Sequence, residues 1–244
     1  MKKLSNPICL TCICGALGLL CLPLRLWMMH TGIDSKALMI GSHPGNILSW
    51  VLTALLAAVL VAAMVVKPDK YSFRPGVFSG FGAVAAALAL AMTAVFAFRG
   101  EASHLSVTFG VLAALGVVSN GLLAFFRFGG KRGWLPLYLP AVLTLMLQFL
   151  YCFRIWSSEP ELQRYFFSLA AQICILLTLF YRICVECKMQ KPVLYLLLSC
   201  ASIFFGFAAG TDGGPGFLYG IWAAAILLEN LGLRVARRKN HEAA

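Results

Sequence analysis

Eight apolar stretches, each close to the length a helix needs to cross a bilayer, recur along this chain with only short polar breaks between them. A hydrocarbon layer of about 30 Å takes about 20 residues at 1.5 Å rise per residue. On that basis spans fall at residues 7–29, 46–66, 77–98, 105–126, 135–153, 165–185, 193–209 and 217–233. Lipid offers no partner for an unpaired N–H or C=O, so each span must be helical. The breaks carry turn-forming residues: His43-Pro44-Gly45-Asn46, Lys67-Pro68-Asp69, Gly129-Gly130 and Gly213-Gly214-Pro215-Gly216. No linker or block of charge divides the chain. The expected fold is therefore all-α: a polytopic transmembrane helical bundle, one integral membrane domain over residues 1–244. Composition agrees, because 61% hydrophobic and 12% charged residues are too apolar for one water-soluble core.

The placement of charge sets the orientation. Met1-Lys2-Lys3 followed by an apolar run from Pro7 resembles a signal peptide, but no small-residue cleavage site follows, so it reads as an uncleaved first span. With the N-terminus inside, the cytoplasmic connections hold Lys67, Lys70 and Arg74, then Arg127, Lys131 and Arg132, then Arg182, Lys188 and Lys191. Arg234, Arg237, Arg238 and Lys239 follow the last span on the same side. The other side holds only Arg25, Lys36, Arg99, Arg154 and Arg164. This asymmetry predicts both ends in the cytoplasm of a multi-pass cell-membrane protein. The net charge of +11 thus speaks for anionic lipid headgroups, at about 1 kcal/mol per basic residue near the surface, and not for nucleic acid.

Two patterns concern packing. Gly76-x-x-x-Gly80 with Ala83, Ala87 and Ala91 forms a small-residue stripe on the third span, suited to close approach of a neighbour in the same chain. The fourth and eighth spans also overlay, Phe109-Gly110-Val111-x-Ala113-Ala114 on Tyr219-Gly220-Ile221-x-Ala223-Ala224, with Asn120 falling on Asn230. The first and fifth end alike, in Arg25-x-Trp27 and Arg154-x-Trp156. A parallel 4+4 repeat is one explanation and chance similarity between apolar segments the other.

Intramembrane polar groups are the default place to seek function, since hydrocarbon penalises them. Asn120, Glu229 and Asn230 form the candidate intramembrane site: Glu229 either binds a cation or proton, or pairs with Arg234 one turn on. Arg25 and Arg182 lie near span ends, where arginine stems snorkel to the headgroups. Nucleophilic motifs and phosphate loops are missing, so the reading leans away from an enzyme and names no catalytic residue and no cofactor. His30, His43 and His104 fall in different loops without ligand spacing, Cys9-x-x-Cys12 and Cys184-x-x-Cys187 lack second pairs, and no metal is expected. Asp212-Gly213-Gly214 matches a calcium loop in composition alone.

Leu24-Arg25-Leu26-Trp27, Thr31-Gly32-Ile33-Asp34 and His43-Pro44, together with the stretch from Trp156 to Tyr165, resemble the outer segments of a group of multi-pass membrane proteins from Gram-positive anaerobes. That group has no assigned activity, so the resemblance implies a topology and no mechanism. It also implies an outer-face polar cluster of Arg25, Asp34, Arg154, Glu159, Glu161 and Arg164. Two function classes follow. One is a non-enzymatic accessory or assembly protein acting through contacts with lipids or an unidentified protein. The other is a small-molecule or ion transporter with its site between two four-helix halves.

Overall fold

The computed structural model describes residues 6–32, 40–66, 71–73, 75–99, 104–156, 165–187, 192–212 and 216–235. They form an all-α polytopic helical bundle of eight helices: α1 Pro7–Thr31, α2 Pro44–Val66, α3 Val77–Arg99, α4 His104–Phe128, α5 Leu139–Trp156, α6 Phe166–Glu186, α7 Pro192–Ala209 and α8 Gly216–Leu231. Seven helical segments are long and apolar enough to cross a membrane; a 3-10 turn at Leu135–Tyr138 leads into the fifth. α8 is the short one, about 24 Å at 1.5 Å per residue.

Local chemistry sets the helix ends. Pro7 takes the first position of α1, where its missing N–H is no loss, and the Asn6 side chain accepts from the Ile8 N–H at 3.1 Å. Between α4 and α5 the chain turns through Gly130 at φ 70°, a conformation that favours glycine. Before α2, His43 acts as a clamp: Nδ1 accepts from the Gly45 N–H at 3.2 Å, while Nε2 meets the Thr31 hydroxyl at 3.1 Å.

The centre of the bundle is α7 and α8, with α1, α3 and α6 packed around them. Two thirds of α7's apolar window is buried (67%), against 17% for α2, which leans on α1 at the periphery. The small residues of α3 pack against both α4 and α8. Against α8 the approach is close at Gly82, where a Cβ would meet the Glu229 Cγ at 2.6 Å and the Ala225 carbonyl at 2.8 Å.

Two features depart from the expected pattern. The last span does not run to residue 233: α8 stops at Leu231, and Leu233–Val235 (β2) pairs antiparallel with Tyr71–Phe73 (β1), Phe73 opposite Leu233 and Tyr71 opposite Val235. Gly232 ends the helix, and the connection after α2 supplies the strand partner. The matched helices also have unlike neighbours. α3 packs on α8 and α1 on α7, yet the corresponding pairs α7 with α4 and α5 with α3 share no packing seam among the described residues.

Candidate functional site

Helices of alternating direction bring the ends of α4, α6 and α8 and the beginnings of α3, α5 and α7 together on the face where α1 starts. There the bundle encloses a four-charge network. Arg127 of α4 is fully buried and pairs with Glu229 of α8. Its other nitrogen donates to the Tyr138 hydroxyl at 2.8 Å and lies 3.9 Å from Glu186, and Nη1 also donates to the Ser79 carbonyl at 3.2 Å. Arg182 of α6 donates to Glu186 one turn along at 3.2 Å and reaches Glu229 at 3.8 Å. Two guanidinium groups therefore face two carboxylates, and each of the four has two opposite-charge partners.

Neutral groups complete this network. Tyr138 donates to Glu186 at 2.6 Å while accepting from Arg127. Tyr195 accepts from Arg182 at 3.2 Å and donates to the Asn230 carbonyl oxygen at 3.0 Å. The Asn230 amide nitrogen then donates to Ser199 at 2.7 Å, and Ser199 to the Leu196 carbonyl at 2.8 Å. Buried charge carries a desolvation penalty of several kcal/mol per ion, which pairing and hydrogen bonding of this kind offset; Glu186 Oε2 is buried without a hydrogen bond of its own.

At the other end of the bundle the described residues hold one ion pair. Arg25, fully buried near the end of α1, donates to Asp212 at 2.5 Å just past α7. Its guanidinium lies over the Phe167 ring, 4.5 Å from the centroid, and Ser168 donates to the second Asp212 oxygen at 2.7 Å. Burial pushes the Asp212 carboxyl up from its ordinary value, with Arg25 and Ser168 acting against that shift.

One turn inward of Ser168 along α6 lies an uncharged cluster. Gln172 of α6 and Gln148 of α5 both donate to the Tyr219 hydroxyl of α8, Gln148 at 3.2 Å. The Cys152 thiol sits against Gln172 and Tyr219. Gln172 is 1% exposed, and its carbonyl oxygen has no hydrogen-bond partner. A buried acceptor left unmade costs about 1–3 kcal/mol.

The structure redistributes the residues singled out from sequence. Glu229 and Asn230 belong to the network, but Glu229 pairs with Arg127 and Arg182, and the Arg234 side chain lies outside the described residues. Asn120 does not join them: its amide donates to the Gly116 carbonyl of its own helix at 3.0 Å. Arg182 is no headgroup anchor, and Arg127 is no loop charge; both are buried. Arg25 takes Asp212 as its counter-ion, which gives Asp212 a partner unrelated to calcium. Arg154 is exposed on the last turn of α5. Asp34, Glu159, Glu161 and Arg164 lie outside the described residues.

Sequence reasoning missed Tyr138, Glu186, Tyr195, Ser168, Asp212 and Tyr219. One signal was present: Arg182-x-x-x-Glu186 has the i,i+4 spacing of a pair on one helix face. Cross-chain partners such as Arg25 and Asp212, 187 residues apart, leave no local signature. Comparison with protein-family models, with curated proteins and with solved structures finds no match, so the architecture of an integral membrane protein is as far as identity extends.

Proposed function

We propose that this chain is a membrane transporter whose two ends are closed by ion pairs, seated in the cell membrane with both termini in the cytoplasm. The observation that carries the reading is the pair of buried charge layers at opposite ends of one bundle, with the Gln148–Gln172–Tyr219 cluster between them. Buried ion pairs add little net stability, and well-packed apolar residues often do as well. Groups that attract across a helix seam and separate into water when the seam opens suit a gate. The seams are the right ones: Arg25–Asp212 joins α1 to the segment after α7, and Arg127–Glu229 joins α4 to α8.

A second reading, the accessory or assembly protein, has its own support in α2. Its exposed face carries Ile47, Trp50, Val51, Leu55, Val61 and Val65, a surface open to lipid or to a partner helix. In either reading the basic connections on the terminal face meet anionic headgroups.

Cys152 separates the two readings. Sealed vesicles of each orientation are treated with a membrane-impermeant methanethiosulfonate, and modification is read at Cys152 by peptide mass spectrometry. The transporter reading expects Arg25→Gln to speed labelling from the Asp212 side, and Glu229→Gln to speed it from the opposite side. A Cys152 inert from both sides in both variants sinks transport and leaves the accessory role.

A further inference from the structure

The middle cluster says what such a path would carry, an inference that rests on the transporter reading. We infer that Gln148, Gln172 and Tyr219 form a binding site for a small uncharged polar solute that donates a hydrogen bond from an N–H or O–H group.

The first observation is the set of groups. Two carboxamides and a phenol offer donors and acceptors but no charge, and the neighbouring Cys152 adds a thiol. Among the described residues the charges of the two layers are paired with one another, Arg25 with Asp212 and Arg127 and Arg182 with Glu186 and Glu229, so neither layer offers an ion in the cluster a spare counter-charge. Hydrocarbon-buried ions need a compensating charge or many ligating oxygens, and the cluster supplies neither.

The second observation is the unmade bond. The Gln172 carbonyl oxygen is buried without a partner, although its amide nitrogen is bonded to the Tyr219 hydroxyl. Tyr219 receives both amide nitrogens, and the Gln172 oxygen, which neither bond engages, stays open to an N–H or O–H of a solute. Position agrees with access. Gln148, Gln172 and Tyr219 come from α5, α6 and α8, and α5 and α8 share no packing seam among the described residues, so side chains alone bridge the gap there.

The test uses the full chain with the outer layer opened by Arg25→Gln or, as an independent variant, Asp212→Asn. The rate of Cys152 modification is measured with urea or glycerol in excess, and with sodium, potassium, chloride or acetate in excess. Urea or glycerol is expected to slow labelling several-fold while the ions do not. Gln172→Leu in the same background is expected to raise the solute concentration needed for that protection about tenfold, the worth of one hydrogen bond of about 1.4 kcal/mol. Protection by an ion and not by the neutral solutes overturns the inference and leaves the transporter standing. Labelling that no solute slows also overturns it. A Cys152 inert in both opened variants removes the transporter reading and this inference with it.

Discussion

The two ends of the bundle solve one problem, buried arginine, in different ways. At one end, among the described residues, Arg25 pairs with Asp212, which Ser168 holds, and the guanidinium lies over Phe167. At the other, Arg127 and Arg182 share Glu186 and Glu229, and Tyr138 and Tyr195 link the pairs into a mesh of six side chains. Loss of Arg25 leaves Asp212 buried with no cation beside it among the described residues. A mesh redistributes its partners, so one deletion leaves every remaining charge with an opposite neighbour. The Arg25–Asp212 end is thus the brittle one and the mesh the buffered one.

That contrast can be broken by stability measurements on the purified protein. Arg25→Met is expected to cost most, about 3–5 kcal/mol, because Asp212 stays buried without its cation. Adding Asp212→Leu should recover most of that loss. If the double variant is as unstable as the single, the damage lies in packing and the brittle-end account fails. Glu229→Gln should cost less than Arg25→Met, since Glu186 still lies near both arginines. Equal losses at the two ends would remove the distinction. Tyr138→Phe deletes one link of the mesh and is expected to cost about 1–3 kcal/mol by thermal unfolding.

The smallest effect belongs to Asn120, one of the two asparagines that the sequence overlays. Asn230→Ala cuts bonds to Tyr195 and Ser199 and should also cost about 1–3 kcal/mol, whereas Asn120→Ala loses one bond within its own helix turn and should stay within about 1 kcal/mol. Matching losses would argue that the two positions do equivalent work after all.

The eight helices were legible because hydrophobic length is a local property, written in consecutive residues; observed ends lie within a few residues of the expected ones. The β1–β2 pairing was not, since three-residue strands from distant loops carry no periodicity long enough to detect. Of the candidate site, Glu229, Asn230 and Arg25 were found because a charge or amide in an apolar run is conspicuous. Their partners were not. Asp212 sat among glycines and resembled a loop acid, and Arg127 was counted with Lys131 and Arg132 as a surface charge. Whether an arginine near a span end snorkels or turns inward depends on which helix packs beside it, and that is a long-range fact.

The lateness of Arg127's partners bears on how the protein is made. Spans leave the ribosome in order, and Arg127 ends the fourth, while its carboxylates arrive with the sixth and eighth. Burial of that guanidinium ahead of its carboxylates is disfavoured, so α3 and α4 are expected to pack fully only once those helices arrive. Only after α8 has inserted can Glu229 settle against Gly82 and β2 close onto β1. α8 is thus the helix that completes the core, and a chain stopped before it would leave Arg127 and Arg182 to share Glu186.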